Sequence, residues 1–338
     1  MATGPSKQGG LNAEQVAFFG REGYLVLDRL FDDADLQPAI DDVSRAIDAK
    51  AAELVASGVL SADYSESDFA HRLAQISRET DQVALSLWNG VLHGPGFFAL
   101  ITNANLLDVA ESLCGEELIA SSVYRLRPKI PNYNYGAVPW HQDSAYFEPY
   151  CDEGLVLTVW IPLVDTDEEN GCLWVIPRVH EGEVLPHCPS AGKAYLEIPE
   201  DRLPEGERVC CPVPKGGALL LNNRTPHGSY DNRSDGVRWS MDLRYQSAAL
   251  PTNASITRLE GDSVPRGKHV TDPDFVPVAC HPPEADFLVR SVARPAEVLR
   301  TAEAFAELRQ NHIPTPVTDR WGAWWEDEAN NPGRQAAE

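Results

Sequence analysis

His141 and Asp143 are two positions apart, a spacing that could hold a metal ion. The segment from 138 to 147 is predicted to be a strand or the end of one, and side chains two apart on a strand point to the same face. One imidazole and one carboxylate that converge form two thirds of the facial triad of non-haem iron(II), which leaves coordination positions open. A surface pair or a hydrogen-bonded pair would have the same spacing, so this interpretation needs a third ligand.

The third ligand has to come from a distant part of the chain, and His227 is the candidate. It follows a buried apolar run and a turn, 86 residues after His141. In a jelly roll, a strand near the start of the core and one near its end can be neighbours. A histidine satisfied within a core or a turn is the alternative. His180 and His187 are weaker candidates because neither has a carboxylate two residues away on the same face.

Arg238 lies 11 residues after His227. A positive charge at this place would have no role in binding iron itself. The Asp235-Gly236 pair predicts a hairpin turn that folds the strand of Arg238 back onto the strand of His227. A guanidinium group binds a carboxylate through two parallel hydrogen bonds. We therefore expect Arg238 to hold the far end of a dicarboxylate co-substrate, with Ser240 on the same strand face. A surface salt bridge is the alternative.

The pattern of apolar residues predicts one domain, mainly β with flanking α-helices. A disordered tail is expected over 1–10, a mostly helical flank over 11–115, a β-rich core over 116–248 and a C-terminal extension over 249–338. Many short strands separated by turn signals are typical of a jelly roll. The expected strands cover 23–27, 118–126, 155–163, 172–177, 208–213, 218–222 and 237–246, and the expected helices begin at Asn12 and at Asp32 or Asp33 and cover 106–113 and 296–309.

Composition narrows the partners and the compartment. The net charge of −23 disfavours binding to nucleic acid or to anionic lipid, so a small-molecule substrate is expected. The seven cysteines form no Cys-x-x-Cys pair, and scattered free thiols favour a reducing, cytoplasmic setting. We expect neither a signal peptide nor a membrane span, because the chain opens with small polar residues and has no long apolar run. The oligomeric state is left open.

The sequence around these candidates resembles the phytanoyl-CoA dioxygenase family. The likeness rests on Trp-His-Gln-Asp around His141, on Asn-Gly-Cys-Leu-Trp-Val-Ile-Pro from Asn170, and on His-Gly-Ser from His227 followed by Arg238. The segment that opens at Glu14 is also similar, so the likeness covers about residues 11 to 250. The chain departs from the family where Arg178-Val179 replaces the usual Gly-Ser.

The resemblance implies a double-stranded β-helix, cupin-like, with Fe(II) at its mouth. It implies that iron, 2-oxoglutarate and O2 together oxidise an unactivated C–H bond of a small metabolite, most simply by hydroxylation, with succinate and CO2 as co-products. The residues so implied are His141, Asp143 and His227 for iron, and Arg238, Ser229 and Trp160 for 2-oxoglutarate; the strand-face argument adds Ser240.

Other reactions and other substrates remain open at this point. Desaturation, epimerisation and ring formation would use the same iron centre, and an acyl-CoA substrate is a further alternative. Outside this class stand a β-barrel that binds metal without catalysis and a zinc hydrolase, which would have no use for Arg238. Substrate contacts are expected from Tyr146 and Phe147, unless they are core aromatics. Arg178, Arg127 and Asn132 are expected in loops that reach the mouth.

Overall fold

The computed structural model describes residues 9–89, 93–121, 124–132, 136–146, 154–190, 195–250 and 287–311. Most of the predicted N-terminal tail, Phe147 and the larger part of the predicted C-terminal extension lie outside these ranges. The statements below concern the described residues.

Seven helices and thirteen strands make up the described part of the chain. The helices are α1 Ala13–Glu22, α2 Asp33–Ala56, α3 Arg72–Ile76, α4 Gln82–Asn89, α5 Pro95–Ile101, α6 Ala104–Cys114 and α7 Ala302–Asn311. The strands are β1 Tyr24–Leu27, β2 Leu118–Ala120, β3 Arg125–Lys129, β4 Val138–His141, β5 Val156–Pro162, β6 Leu173–Val175, β7 Cys188–Pro189, β8 Leu196–Glu197, β9 Val209–Cys211, β10 Ala218–Leu221, β11 His227–Ser229, β12 Arg238–Ser247 and β13 Phe287–Arg290.

Local sequence signals fix the first two helix starts. The side chain of Asn12 accepts a hydrogen bond from the backbone of Gln15, whose side chain accepts one in return, and Asp32 and Asp35 form the same capping box on α2. The predicted starts of α1 and α2 are therefore confirmed. Helix α7 begins later than the predicted 296, and α3, α4 and α5 were missed because they are too short to show a clear period.

The strands form two main antiparallel sheets, as a mainly β chain with flanking helices requires. The larger sheet has the order β1-β10-β5-β12-β2-β13, and β3 also pairs with β12. The smaller has the order β4-β11-β6-β9, and β7 pairs with β8 separately. The single strand predicted over 118–126 is wrong: β2 and β3 are distinct strands that pair with successive stretches of β12.

Two apolar clusters show how the layers pack. One joins inward side chains of the larger sheet, such as Trp160 and Leu219, to Leu173 and Val175 of the smaller sheet. The other joins the opposite face of the larger sheet to the flanking helices and includes the fully buried Trp239. The two sheets therefore pack face to face, and the helices cover the other face of the larger one.

The predicted hairpin between β11 and β12 is wrong, because the two strands belong to different sheets. The Asp235-Gly236 turn instead lies in a crossover from the smaller sheet to the larger one. Asn232 holds this crossover: its Nδ2 donates to the carbonyl oxygens of Lys129 and Gly236. A turn signal specifies a local reversal, and it does not specify which strand the chain pairs with next.

Two further predictions concern membrane spans and thiols. Within the described ranges, no single helix is long and apolar enough to cross a bilayer; α5 and α6 meet that test only as a pair with a 41° bend. The five described cysteines are free. The Sγ atoms of Cys172 and Cys210 lie 3.3 Å apart.

Candidate metal centre

The side chains of His141, Asp143 and His227 converge at one end of the smaller sheet. Their ligand atoms lie within 4.8 Å of one another, and all three residues are buried. The Oδ1 atom of Asp143 is 3.7 Å from Nε2 of His141 and 3.9 Å from Nε2 of His227. Two imidazoles and one carboxylate are the ligand set of a facial triad, so these residues can hold Fe(II).

Strand pairing and a local turn produce this convergence. His141 ends β4 and lies directly opposite His227, the first residue of β11. Asp143 is not on the strand, as the two-residue spacing implied, but begins a 3-10 helix over Asp143–Tyr146. The backbone N–H of Ser144 donates to the carbonyl of Asn223, and the Nδ2 of Asn223 donates to the Ser144 hydroxyl, so this turn is fixed from two sides.

Backbone carbonyls set the orientation of both imidazole rings. His141 Nδ1 lies 2.8 Å from the carbonyl oxygen of Pro139, and His227 Nδ1 lies 3.0 Å from that of Thr225. A carbonyl oxygen only accepts, so each Nδ1 carries a proton, and in the neutral form of each ring Nε2 has the lone pair. Both lone pairs then belong to the nitrogen that faces Asp143, which is the arrangement a metal requires.

Two residues outside the predicted site hold Asp143. Arg244 Nη2 lies 3.1 Å from both carboxylate oxygens, and the hydroxyl of Thr158 donates to Oδ2 at 2.5 Å. Arg244 and Thr158 face each other on β12 and β5. The carboxylate is therefore oriented from behind, and Oδ1 remains directed toward the two histidines.

Burial and neighbouring charge keep these groups in the protonation state that binds metal. Burial lowers the pKa of His141 well below its usual value, and the nearby His227 lowers it further. Burial alone would raise the pKa of Asp143, but the charge of Arg244, the largest opposing effect, and the hydrogen bond from Thr158 help to leave it below its usual value. At neutral pH His141 is neutral and Asp143 is ionised.

Arg238 is a buried cation whose charge is incompletely paired. It is 3% exposed, its Nη1 donates to the hydroxyl of Ser240 at 2.5 Å, and its guanidinium carbon lies 5.2 Å from the centre of the Trp160 ring. Its Nε has no hydrogen-bond partner among the described residues. Burial lowers the pKa of Arg238 to about 10, against the opposing effect of Asp242.

Two of the remaining residues predicted to bind the co-substrate lie on the same sheet face as Arg238, and the third lies on the smaller sheet. Ser240 is fully buried beside Arg238, and Trp160 lies opposite Asp242 on β5. Ser229 is on β11, two residues after His227, and its hydroxyl accepts a hydrogen bond from Nζ of Lys129 at 2.7 Å. Ser240 and Trp160 contact Arg238 directly, and the binding roles of these residues and of Ser229 remain predictions.

The residues predicted to contact substrate are placed differently. The ring of Tyr146 packs edge-on against His141 with centres 5.6 Å apart, so it lies at the metal centre. Arg178 is exposed, has a φ of 65°, and its Nη1 lies 3.4 Å from Glu22, which directs it toward α1. Asn132 is exposed in a turn, and Phe147 lies outside the described residues. Arg127 is not in a loop but on β3.

His180 and His187 have structural contacts. His180 Nε2 donates to the carbonyl of Gly20, which ties the loop after β6 to α1. His187 Nε2 accepts from the backbone N–H of Gln142, between the two predicted ligands of the 141–143 motif. Each nitrogen named here is therefore used within the fold and is not directed at the Asp143 cluster.

Sequence reasoning missed Arg244, Thr158 and Lys129, and it placed Arg127 in a loop when it lies on β3. One signal was available: from Arg238 to Gln246, every second residue of β12 is polar. A strand buried on both faces with polar residues on one of them indicates an internal site. The partners on β3 and β5 could not be identified, because their register depends on strand pairing across the sheet.

Comparisons with known proteins place this site in a family. The phytanoyl-CoA dioxygenase (PhyH) family model matches residues 19–240. The chain is 24% identical over 258 residues to the peroxisomal phytanoyl-CoA dioxygenase of Bos taurus, covering 75% of this chain and 72% of that protein. It is 25% identical over 245 residues to a probable alpha-ketoglutarate-dependent hypophosphite dioxygenase of Stutzerimonas stutzeri, covering 70% and 79%.

A solved structure shares the fold. The apo form of the non-heme monooxygenase ThoJ aligns with a TM-score of 0.59 at 16% identity, covering 90% of this chain and 96% of that one. The family match runs from α1 to β12 and includes His141, Asp143, His227 and Arg238. The chain therefore belongs to the phytanoyl-CoA dioxygenase family and is a dioxygenase that depends on Fe(II), 2-oxoglutarate and O2.

Proposed function

We propose that this enzyme hydroxylates an unactivated C–H bond of a small molecule, with Fe(II) held by His141, Asp143 and His227. The observation that carries the proposal is the orientation, charge and burial of these three side chains. Both histidines present Nε2 toward an ionised carboxylate, and the cluster is buried. Three protein ligands leave coordination positions for a chelating co-substrate and for oxygen.

Arg238 supplies the second part of the proposal. A buried guanidinium with an unpaired Nε is costly unless an anion completes its hydrogen bonds. The distal carboxylate of 2-oxoglutarate has the charge and the planar shape to do so. Trp160 would pack beside it, and Ser229 and Ser240 would add hydroxyl contacts. These residues fit the co-substrate and would orient it toward the iron ligands.

The fold supports placing the reaction between the two sheets. We infer that the sheets form a double-stranded β-helix with the iron ligands at its mouth. Inward residues such as Val175, Leu219 and Leu221 make its interior apolar. Such an interior excludes water and strengthens the charge interactions of Arg238 and Asp143. Fe(II) held by the three ligand residues would let O2 supply one oxygen atom to succinate, as 2-oxoglutarate loses CO2, and the other to the C–H bond.

The protein's own task is to position the substrate bond. The ring of Tyr146 packs against His141, next to the proposed iron site, so Tyr146 is proposed to contact the substrate. Phe147, the next residue, is proposed to share this role. A product heavier than its substrate by one oxygen atom supports hydroxylation. Loss of two hydrogens would indicate desaturation or ring formation, and an unchanged mass would indicate epimerisation.

Anaerobic titration of the metal-free protein with Fe(II) and then 2-oxoglutarate tests the proposal. We expect a saturable visible charge-transfer band that His227→Ala removes. The matched control is His71→Ala, since His71 pairs with Asp68 outside the cluster and its loss should leave the band unchanged. Bound iron without a band in the wild-type protein would contradict the proposal and favour a metal-binding protein or a hydrolase.

A further inference from the structure

The inner wall of the larger sheet carries a second arginine with a different environment. Arg127 lies opposite Ser240 in the β3–β12 register, so it shares the face of Arg238. Arg238 is 3% exposed, whereas the side chain of Arg127 is 31% exposed. One cation is therefore sealed inside the wall, and the other reaches open space on the same wall.

Asp242 fixes the orientation of Arg127 without using its whole guanidinium group. Nε of Arg127 donates to Oδ2 of Asp242 at 3.0 Å. Within the described part of the chain, Nη1 and Nη2 of Arg127 make no hydrogen bond. These two nitrogens form the end-on fork that binds a carboxylate or a phosphate through two parallel bonds. The side chain is thus held at one edge and open at the other.

The surroundings place this open fork near the proposed substrate position. Tyr146 and Tyr195 are close enough to Arg127 to act on its pKa. Tyr146 is the residue whose ring packs against His141. Burial by itself lowers the pKa of Arg127, but Asp242 reverses the effect and leaves it above the usual value, so Arg127 stays charged.

The other cations of this wall make hydrogen bonds within the fold. Arg244 pairs with Asp143, Lys129 Nζ donates to Ser229, and Nη1 of Arg125 donates to the carbonyl of Tyr124. The chain as a whole has a net charge of −23, so its surface repels anions. An anionic substrate would need a local cation inside the site, and Arg127 offers one.

We propose that the primary substrate carries a carboxylate or phosphate group that binds the end-on fork of Arg127, while Arg238 holds 2-oxoglutarate. The inference rests on the proposed function and narrows its substrate to an anionic small molecule. Asp242 acts as the positioning residue for Arg127. Arg127 lowers the pKa of Arg238, so the two positive charges repel each other. A substrate anion at Arg127, beside the 2-oxoglutarate carboxylate at Arg238, would offset this repulsion.

The test uses the anaerobic protein with Fe(II) and 2-oxoglutarate bound, and two probes, inorganic phosphate and butyrate. Their dissociation constants are measured by thermal shift at constant ionic strength, since a ligand of the native state raises its stability. We expect millimolar binding of at least one probe that weakens at least tenfold in Arg127→Gln. The exposed arginine variant Arg78→Gln should bind the probes as the wild type does. The probe that binds more tightly indicates whether the substrate group is a phosphate or a carboxylate.

Two results would overturn the proposal. One is equal probe binding in the wild type and Arg127→Gln. The other is an Arg127→Gln protein whose 2-oxoglutarate dissociation constant, read from the visible band, rises tenfold, which would place Arg127 in the co-substrate site. A wild-type protein without the band would instead refute the proposed function, so the two failures are distinguishable.

A double variant guards against misfolding. Arg127→Gln leaves Asp242 without its partner, and Asp242 is only 12% exposed at its side chain. Arg127→Gln with Asp242→Asn removes both charges and leaves no unpaired carboxylate behind. It should also lose probe binding at least tenfold while its 2-oxoglutarate band titrates within twofold of the wild type. Probe binding retained by this folded double variant would contradict the proposal.

Discussion

Strand β12 buries both of its faces, but the two faces have opposite chemistry. The outward side chains pack in the helix-side cluster, and the inward side chains are polar and buried. The outward residues are Trp239, Met241, Leu243 and Tyr245; the inward residues are Arg238, Ser240, Asp242, Arg244 and Gln246. One ten-residue strand therefore belongs to an apolar core on one side and lines the candidate site on the other.

The difference separates what stabilises the fold from what serves the reaction. Burial of apolar surface contributes about 25 cal/mol per Å², so the outward face stabilises the sheet–helix packing. Buried polar groups at best break even, and those with unpaired atoms cost stability. The inward face is thus explained by binding, and substitutions on the two faces should separate stability from ligand affinity.

The largest effect is expected from Trp239→Ala on the outward face. Trp239 is fully buried, stacks on Phe69 with ring centres 4.9 Å apart, and donates from Nε1 to the Phe69 carbonyl. Its truncation leaves a cavity and should lower the free energy of unfolding by about 4 kcal/mol in urea denaturation. Val292→Ala, at a 70% exposed residue, should change it by less than about 0.5 kcal/mol. A loss near 1 kcal/mol for Trp239→Ala would mean that this face is poorly packed.

The next largest effect is expected from Arg244→Met, which should lower the stability of the metal-free protein, and added Fe(II) should offset part of this loss. Without Arg244, the Asp143 carboxylate stays buried with its charge unbalanced, so the metal-free protein should lose about 3 kcal/mol of unfolding free energy. Fe(II) supplies the missing positive charge, so adding Fe(II) anaerobically should stabilise this variant more than the wild type. The control is Arg290→Met, which removes a partly exposed ion pair with Asp108 and should leave the gain from Fe(II) unchanged. An equal gain in Arg244→Met would refute the charge-balance role.

Arg238→Met should lower the affinity for 2-oxoglutarate without lowering the stability of the protein, the opposite of the effect expected for Trp239→Ala. Loss of a charged hydrogen-bond pair should weaken 2-oxoglutarate binding by about 2 kcal/mol, or roughly 30-fold, in the anaerobic band titration. The free energy of unfolding without ligand should stay equal or rise, because a buried cation with an unpaired Nε is removed. Unchanged affinity would remove Arg238 from the co-substrate site.

The same contrast explains what could be predicted from the sequence. The His141–Asp143 spacing, His227 and Arg238 are recognisable because each lies in a short local motif. The contacts of Arg244, Thr158 and Arg127 depend on which strands pair with β12 and in which register. No local pattern specifies that pairing when both faces of a strand are buried.

Turn signals likewise predicted where the chain reverses but not which strands pair afterwards. Asp235-Gly236 marks a reversal, and the chain does turn there, but β12 joins the larger sheet because its outward face packs against the helices. Helix starts at Asn12 and Asp32 were predictable, since a capping box needs only four residues. Short-range chemistry was thus readable, and the assembly of the two sheets was not.

The smallest effect is expected from Tyr245→Phe, which tests a polar contact on the apolar face. The hydroxyl of Tyr245 donates at 2.7 Å to the carbonyl of Ile101, the last residue of α5. Carbonyls at a helix end have no partner within the helix, so this hydroxyl caps α5 from the sheet. Removing it should lower the free energy of unfolding by about 1 kcal/mol, measured by urea denaturation, because the ring keeps its packing. The 2-oxoglutarate band should titrate as in the wild type, because Tyr245 faces away from the site. A change in that titration without loss of stability would show that the two faces of β12 are coupled.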